Sequence, residues 1–377
     1  MKQHGLTLII PVIPDKQELL ETYFKDYEAG ILEDFSKSML IHSANFTILP
    51  PVQNQRLACR LLFTCNYDGD LMTLLRNSGK IPHAQRINEI FKFCENYTDG
   101  MIFNSFQFRE YAKPYLIHCN IFVFAFKETP LADILSSNNL RLQLDLMLDR
   151  IDPYHFPKFL RSIKHPKKPE PKTKGIFEKL FLKFSQYAAG ISEGVNDPTE
   201  RTSSDRYVLD TEDMGRQNRL TVVVPIKQHW SYIHHILLWV TLLLTAKNPR
   251  NGQMGRISNV TTVHFARWAF IDKNRNLLFE ANFDGSFESY IDDFVDRISL
   301  DLNCLFGHCM GFPRNGTKDL EAFKSYIRRN QIRGQLSYQA YPGLSIANIL
   351  TNLSLTGVGQ YNRNQSLQRY ICGSYQS

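Results

Sequence analysis

Residues 263–286 read VHFARWAFIDKNRNLLFEANFDGS, and this stretch decides the fold prediction. Two runs rich in aromatic and apolar residues flank the polar segment DKNRN, which is typical of two strands joined by a turn. The Asp-Gly near the end marks a second turn. The stretch therefore predicts a β-hairpin. A looser version, IHSANFTILPPVQNQRLACRLLFTCNYDGD, occupies residues 41–70, so the same hairpin is predicted twice.

The hairpins belong to a longer internal repeat. Four sequence blocks occur twice in the same order; the clearest pairs besides the hairpins are GLTLIIPVIP with RLTVVVPIKQ, and residues 108–135 with residues 323–350. Matched blocks in a fixed order indicate a duplicated folding unit. We therefore expect residues 5–128 and 219–341 to form two equivalent lobes.

Each predicted lobe has the element order β-α-β-β-α-β. Helix-length segments at 16–34 and 229–247 follow the first strand, and apolar residues spaced on one helix face follow the second hairpin from Phe287 onward. This order is that of the ferredoxin-like split βαβ motif, whose sheet has one face covered by helices. Two such lobes cover each other's bare faces. The expected class is α+β, with two tandem ferredoxin-like (βαββαβ) lobes packed sheet to sheet as a pseudo-dimeric α/β barrel.

The expected domain boundaries follow from the repeat. The first ferredoxin-like lobe spans 1–150, and a basic linker with an amphipathic helix spans 151–215. The second lobe, with a C-terminal helix and tail, spans 216–377. The linker contains the proline–lysine run HPKKPEPKTK and then GIFEKLFLKFSQYAAG. That helix either lies at an anionic membrane surface or packs on the lobes with its lysines in water.

A second segment, SYIHHILLWVTLLLTAK at 231–247, is apolar on all sides. Its uninterrupted apolar core is about a dozen residues, which is shorter than the roughly 20 that span a bilayer. A helix that is apolar all round is buried in a core, or it lies against a partner or a membrane. The sequence leaves these alternatives open.

Composition limits the class of protein. The net charge of +7 is modest, so nucleic acid is not an expected partner. The seven cysteines are scattered without a CxxC pair, which predicts neither a zinc site nor a disulfide framework and fits a reducing cytoplasm. The N-terminal apolar run ends at prolines and predicts a strand rather than a signal peptide. No phosphate loop, GxSxG or HExxH string occurs.

Strand alternation selects the catalytic candidates. Across the 263–286 hairpin, Arg267, Glu280 and Asn282 share the face that no helix of their own lobe covers, so they are expected to look into the space between the lobes. Arg267 and Glu280 are near enough across the hairpin to pair. The pair either fixes the strand register or holds the arginine toward a ligand. The corresponding first-lobe positions are Ser43, Asn45, Thr64 and Asn66.

Histidines and aspartates supply the second set of candidates. His264 and its counterpart His42 fall on the apolar face, as core histidines or as haem or metal ligands. Asp284, in the repeated Asn-x-Asp-Gly, either caps the helix that follows or contributes to an anion site. His308 stands next to Cys309 in FGHCMGFPRNG, so a catalytic Cys–His pair is one alternative there, although no other group that would support a nucleophile is visible. His264, Asp284 and His308 are the cofactor-binding candidates.

The second half also resembles a known group of proteins. EDMGRQNRLTVVVPIK, VHFARWAFID, LLFEANFDGSFESYIDDFVD, HCMGFP and QLSYQAYPGLSIANIL are similar to an uncharacterised bacterial family, some of whose members are labelled peroxidases. The resemblance covers about residues 210–350. The two-lobe layout also resembles dye-decolorizing peroxidases and other dimeric α/β-barrel proteins. Those peroxidases use a GxxDG motif, a haem-ligating histidine and a distal arginine, whereas NYTDG, NYDGD and NFDGS here lack the first glycine.

Two functional hypotheses result. The resemblance implies a peroxidase-related oxidoreductase that binds a small molecule between the lobes, with haem as the implied cofactor. The residues alone specify no cofactor and no metal. The alternative is a non-catalytic binding protein at a membrane surface or in a larger assembly, which the apolar segment 231–247 and the lysine-rich insert indicate. On that hypothesis the protein is cytoplasmic and peripheral to an anionic membrane, or is part of a homo-oligomer or assembly.

Overall fold

The computed structural model of the chain describes residues 2–52, 57–80, 84–148, 176–190, 215–228, 231–246 and 260–356. The strands in these ranges are β1 (Gln3–Pro11), β2 (Ile41–Leu49), β3 (Arg60–Asp68), β4 (Ile121–Phe124), β5 (Gln217–Pro225), β6 (Val263–Ile271), β7 (Asn276–Asp284) and β8 (Leu336–Gln339). The α-helices are α1 (Gln17–Ser36), α2 (Leu71–Lys80), α3 (Ala84–Phe91), α4 (Ser105–Ala112), α5 (Leu131–Leu148), α6 (Ile176–Ala188), α7 (Ser231–Ala246), α8 (Phe287–Phe306), α9 (Leu320–Arg329) and α10 (Ile346–Thr356). Most of the predicted linker and the predicted C-terminal tail lie outside the described residues.

The strands form two antiparallel four-stranded sheets. The first sheet has the order β1-β3-β2-β8, and the second has the order β4-β6-β7-β5. Both predicted hairpins are present, as β2–β3 and as β6–β7, each in nine-residue strands. The mixed helix and sheet content agrees with the predicted class.

The edge strands differ from the prediction. We expected the last strand of each half to complete the sheet of its own half. Instead β4 pairs with β6 of the second sheet, and β8 pairs with β2 of the first. The segment before β4 runs along β1, where the Ile117 amide donates to the Thr7 carbonyl oxygen, and then crosses to the second sheet. Strand alternation specifies which face a strand buries, but it does not specify which sheet edge a four-residue strand joins.

Separate apolar cores support the two sheets. Residues of α1, α3 and α4 pack on the first sheet, and residues of α7, α8 and α9 pack on the second. A further cluster joins α5 to α10. Between the sheets lies a small apolar cluster that includes Leu49, Leu62 and Leu278. The two sheets therefore contact each other through side chains.

Close approach of the sheets requires a glycine in β1. A Cβ atom at Gly5 would lie 2.0 Å from the Phe122 ring of β4, which is far inside van der Waals contact. The ring occupies this space because Gly5 has no side chain. The equivalent position on β5, two residues after the start of the strand, is Arg219, so the two sheets are not interchangeable at this contact.

Candidate functional site

Arg267 lies between the two sheets, as alternation predicted. Its side chain is only 2% exposed. Nη1 donates to the Leu6 carbonyl oxygen and to Thr7 Oγ1, both at 2.8 Å, and Nη2 donates to Asn66 Oδ1. Nε lies 3.1 Å from Glu280 Oε2. Every nitrogen of the guanidinium therefore has a protein partner, and three of those partners belong to the other sheet.

Glu280 has a similar environment. Its Oε1 accepts from Thr64 Oγ1 at 2.9 Å and from Asn45 Nδ2 at 3.2 Å, both on the first sheet. The Phe122 ring covers Arg267, with its centroid 4.6 Å from Cζ. The small polar residues predicted for the first sheet's inner face thus receive the Arg267–Glu280 pair. A buried ion pair with this many hydrogen bonds fixes how the two sheets are aligned.

Asn282, the third catalytic candidate, is 2% exposed on the same inner face. Its Nδ2 has no hydrogen-bond partner among the described residues, and Thr221 Oγ1 on β5 has none either. Buried polar atoms normally have a partner. The three candidates are therefore brought together on one inner face. Arg267 is bonded at every nitrogen, whereas among the described residues Glu280 Oε2 has only its ion-pair contact with Arg267 and Asn282 Nδ2 has no hydrogen-bond partner.

His42 and His264 lie at matching β-bulges. The register shifts between Ile41 and Ser43 in β2, and between Val263 and Phe265 in β6. Strict alternation predicted the helix-covered apolar face for both histidines, but a bulge inserts one extra residue and breaks the alternation there. In consequence the His42 ring centroid is 6.1 Å from that of Phe265, which belongs to the other sheet.

Each bulge histidine bonds the aspartate of the repeated Asn-x-Asp-Gly. His42 Nε2 lies 3.0 Å from Asp68 Oδ1, and His264 Nε2 lies 2.8 Å from Asp284 Oδ1. The glycines that follow have φ of +83° at Gly69 and +81° at Gly285, as a tight turn requires. The repeated motif therefore forms a His–Asp pair in each sheet.

The helix that each aspartate caps is not the predicted one. We expected capping of the helix that follows the motif directly, but Ser286 caps α8. Asp68 Oδ2 instead accepts from the Leu131 amide at the start of α5, at 2.7 Å, and Asp284 Oδ2 accepts from the Ile346 amide at the start of α10, at 2.8 Å. A carboxylate at the N-terminus of a helix is also stabilised by the helix dipole. The cause of the difference is the strand exchange, because α5 and α10 directly follow the exchanged strands.

The two His–Asp pairs differ in one partner. His42 Nδ1 bonds the Tyr341 hydroxyl at 3.2 Å, so both ring nitrogens are satisfied. The residue at the equivalent register position, two after the end of β4, is Phe126, which has no hydroxyl. His264 Nδ1 has no partner among the described residues. His42 is therefore a core histidine with both ring nitrogens bonded, as one predicted alternative required. At His264 only Nε2 has a partner among the described residues.

His308 lies far from the other cofactor-binding candidates. Asp284 pairs with Gln217 at the start of β5, whereas the Lys227 amide, just beyond the end of β5, donates to the His308 carbonyl oxygen. The strand β5 alone, from Gln217 to Pro225, spans eight residue steps, or about 27 Å. The structure therefore brings His264 and Asp284 together but does not bring His308 to them.

His308 belongs to a different polar cluster. Its Nε2 lies 2.8 Å from Ser185 Oγ on α6, and its Nδ1 lies 3.0 Å from His234 Nδ1 on α7. Burial, with the nearby charges of His234 and Lys227, lowers the pKa of His308 from 6.5 to about 3. The ring is therefore neutral at pH 7. The cluster fastens α6 to the second sheet's helices.

The Cys–His hypothesis is not supported at Cys309. The thiol is fully buried, and burial raises its pKa to about 12. The thiolate is the nucleophilic form of cysteine, and almost none forms at pH 7 with such a pKa. Cys309 instead extends the core of the second sheet.

The helix α7 has one buried face and one exposed face. Leu238 and Leu242 are buried in the core of the second sheet, and Leu237 beside them is also buried. On the other face the exposed fractions are 85% for Tyr232, 44% for Ile233, 60% for Ile236 and 49% for Trp239. These residues occupy successive turns of the helix. We call this set the α7 outer face, and such contiguous exposed apolar surface marks interaction sites.

The lysine-rich helix α6 is described only in its second half at the side-chain level. Leu182 and Ser185 are buried against the second sheet's helices, whereas Phe184 and Tyr187 are 59% and 84% exposed. Lys183 is exposed beside them. The helix therefore packs on the rest of the protein, which is one of the two predicted alternatives. It also exposes two aromatic side chains to solvent.

Basic side chains adjoin the α7 outer face. The β6–β7 turn carries Lys273 and Arg275, both exposed. Three consecutive turn residues, Asp272 to Asn274, have positive φ of 56°, 57° and 64°. His235 on α7 hydrogen-bonds the Asn274 carbonyl oxygen and so attaches this turn to the helix. The turn is thereby held beside the exposed apolar residues.

Haem and metal ligands were among the predicted roles. A haem-ligating histidine needs haem-sized space at its free nitrogen, whereas His264 is 1% exposed and its ring centroid is 6.1 Å from that of Tyr341. Arg267 is fully bonded, so these residues do not fit a haem site. Within the described ranges, no three His, Cys, Asp or Glu side chains are grouped as metal ligands. Across the same ranges, no helix has both the length and the apolarity needed to cross a bilayer.

Comparisons with known proteins give little more. No protein-family model matches the sequence, and no curated protein matches it. One solved structure, described as a "putative monooxygenase" from Fusobacterium nucleatum subsp. nucleatum, is similar over 91% of this chain and 97% of its own, with 7% identity and a TM-score of 0.31. A TM-score this low does not assign a common fold.

Proposed function

We propose that this chain is a non-catalytic binding protein that docks on anionic membrane surfaces through the α7 outer face. The observation that carries the proposal is the exposure of four large apolar side chains on successive turns of one helix, while the opposite face of that helix is buried. Exposed apolar surface of this kind is unfavourable in water and is stabilised when an apolar phase covers it.

The composition of the face suits a bilayer interface. Tyr232 and Trp239 combine an apolar ring with a polar group, the pairing that is enriched at headgroup level. Ile233 and Ile236 supply aliphatic surface between them. Moving four half-exposed side chains of this size into the acyl boundary contributes about 4 kcal/mol in total, taking about half of the value for full burial of each. Apolar contact alone therefore gives only weak binding.

Charge supplies the second contribution. Lys273 and Arg275 lie beside the face, and Lys183 is exposed on α6, which packs against α7 and α8. The sequence segment 164–183, most of which lies outside the described residues, contains seven lysines and two glutamates. Each basic residue near an anionic surface contributes about 1 kcal/mol. Stable peripheral binding generally needs two such signals together, and this chain carries both.

The residues between the two sheets give less support for a catalytic function. Arg267 and Glu280 are 2% exposed and bond to protein groups on the facing sheet. All the nitrogens of Arg267 already have protein partners, so a substrate would have to displace one of them, and removing a partner from a buried ion pair is costly, about 3–5 kcal/mol when done by mutation. The pair therefore favours the register-fixing role that alternation left open.

Vesicle flotation tests the proposal. The protein is mixed with phosphatidylcholine vesicles, or with vesicles in which about 30% of the lipid is phosphatidylserine, and floated on a density gradient. We expect the protein to float only with the anionic vesicles. Salt at about 1 M reduces the Debye length to about 3 Å and should release most of it. Equal recovery with both vesicle types, or no flotation with either, contradicts the proposal.

A peroxidase-related oxidoreductase is the second candidate. The observation that favours it is the pair of buried polar atoms on the inner face, Thr221 Oγ1 and Asn282 Nδ2, that have no hydrogen-bond partner among the described residues. An assay of peroxide-dependent dye oxidation by the purified protein tests this candidate. Turnover supports it, and the absence of turnover removes it.

We also propose that the two halves descend from one duplicated ferredoxin-like βαββαβ unit. Both sheets place the first, third and second strands of a half in that order, followed by a strand from the other half. The bulge histidines, the capping aspartates and the positive-φ glycines recur at equivalent positions. The resemblance to two-lobe dimeric α/β-barrel proteins agrees with such a history.

A further inference from the structure

A groove of about 520 Å³ lies beside the α7 outer face. Its apolar walls come from three parts of the chain: Leu116 and Ile117 before β4, Ile236 and Trp239 on α7, and Phe270 on β6. Small-molecule sites in proteins have volumes of roughly 300–1,000 Å³ and mainly apolar walls. The groove therefore has the size and lining of a binding site for an apolar group.

The polar residues of the groove mostly shape its wall. Asn120 Oδ1 accepts from the Phe270 amide at 3.1 Å, and His235 bonds the Asn274 carbonyl oxygen. His118 lies at the exposed rim. Two of the polar side chains are thus bonded to backbone, and the apolar wall is the main surface that the groove presents to a ligand.

The chain neighbours of the groove residue Asn274 are basic. Lys273 and Arg275 flank Asn274 in the turn and both side chains are exposed, although Arg275 lines a second cavity with Met310 and Tyr326. The acidic residue of the same turn, Asp272, forms an ion pair with Arg60, so its charge is neutralised locally. Among the residues that the structure describes, no acidic side chain lines the groove. An apolar cleft with a cationic rim is complementary to a molecule that has a hydrocarbon chain and an anionic headgroup.

We propose that this groove binds an acyl chain of an anionic phospholipid taken from the bilayer on which α7 docks, an inference that rests on the proposed membrane function. Ile236 and Trp239 belong both to the groove and to the α7 outer face. A lipid whose headgroup contacts the turn at Lys273 and Asn274 places its chain along these two residues. The groove gives the docked protein a lipid-specific contact in addition to surface attraction.

Calorimetry with a monomeric lipid tests the groove without a membrane. The probe is dioctanoyl phosphatidylserine below its micelle concentration, with dioctanoyl phosphatidylcholine and octanoate as comparison ligands. We expect saturable binding of the phosphatidylserine, at least about tenfold tighter than that of either comparison ligand. Octanoate binding as tightly as the phosphatidylserine identifies free fatty acid as the ligand and overturns the proposal, as does equal binding of the neutral lipid.

Two substitutions locate the site. Leu116→Trp fills the groove from a half-exposed position and should weaken phosphatidylserine binding at least about tenfold. The matched control, Leu19→Trp, changes an exposed residue of α1 that lines neither the groove nor the α7 outer face and should leave binding unchanged. If Leu116→Trp does not fold, Leu116→Glu, which adds a negative charge to the wall, should produce the same loss. Unchanged binding in a folded Leu116 variant overturns the proposal.

The outcomes also separate this inference from the membrane function. A wild-type protein that floats with anionic vesicles but does not bind the monomeric lipid leaves membrane docking in place and overturns the groove. A protein that binds the monomeric lipid but does not float retains a lipid groove and loses the docking function on which the proposed source of the lipid rests.

Discussion

Arg267 on β6 donates a hydrogen bond from its guanidinium to the side-chain oxygen of Asn66 on β3, which belongs to the facing sheet. The same guanidinium pairs with Glu280 on the neighbouring strand of its own sheet. One side chain therefore connects both strands of the second hairpin to the first sheet. The buried pair is the central polar contact between the two halves.

Substitution of Arg267 should destabilise the fold strongly. Arg267→Ala leaves Glu280 buried without its cation, and we expect the free energy of unfolding to fall by about 3–5 kcal/mol in urea titrations. The double variant Arg267→Met with Glu280→Met should recover much of this loss, because it removes both charges. As a control, Arg297→Ala breaks an exposed pair with Asp293 and should cost less than about 1 kcal/mol. A similar small effect at Arg267 would contradict the account.

The Tyr341 hydroxyl should contribute to stability through His42. Tyr341→Phe removes the partner of His42 Nδ1, which is buried, so the expected loss is about 1–3 kcal/mol. Tyr232→Phe, at a side chain that is 85% exposed, removes the same atom in water and should have almost no effect. Thermal or urea unfolding measures both, and equal stabilities for the two variants would exclude the hydrogen bond as a stabilising contact.

Acid should destabilise the fold through His308. The pKa of His308 is about 3 in the folded protein, against a usual value of 6.5. Between these two values the unfolded chain binds a proton that the folded chain does not, so stability is full above about pH 6.5 and falls by about 1.4 kcal/mol per pH unit below it. His308→Gln removes this titration. Its unfolding free energy should therefore depend less on pH between about pH 4 and 6, and an unchanged slope would contradict the assignment.

The exchanged edge strands should make the halves depend on each other. Residues 1–150 lack β8 and residues 216–377 lack β4, so each fragment alone has a sheet with an uncovered edge strand. We expect neither fragment to unfold cooperatively by itself, whereas the mixture should form a one-to-one complex with a cooperative transition. Two fragments that each fold as stable monomers would contradict the exchange.

Local pattern predicted much of this structure. Alternation in the 263–286 hairpin placed Arg267 and Glu280 on the inner face correctly, since that face is a property of nearest neighbours in the chain. The same rule failed at His42 and His264, because a bulge changes the phase of alternation without an obvious sequence signal. Glycine and aspartate in the repeated motif indicated a turn and a cap, but the identity of the capped helix depends on the chain crossing.

Contacts between distant segments were not predictable from pattern. Ser185 bonds His308 across 123 residues, and neither residue lies in a motif that indicates the other. The spacing of apolar residues could not predict which face of α7 would be exposed, because the helix is apolar on both faces. For a helix that is apolar all round, the choice between burial in the core and docking on a partner is clear only once the packing of the neighbouring elements is known.

Flotation of two matched variants tests the proposed function most directly. Ile236→Glu places a charge in the α7 outer face at a position that is 60% exposed, and Leu19→Glu makes the same kind of change at a 58% exposed position on α1. With vesicles containing about 30% phosphatidylserine, the Leu19 variant should float like the wild type, and the Ile236 variant should remain at the bottom of the gradient with unchanged stability. Equal flotation of the two variants would contradict membrane docking through α7.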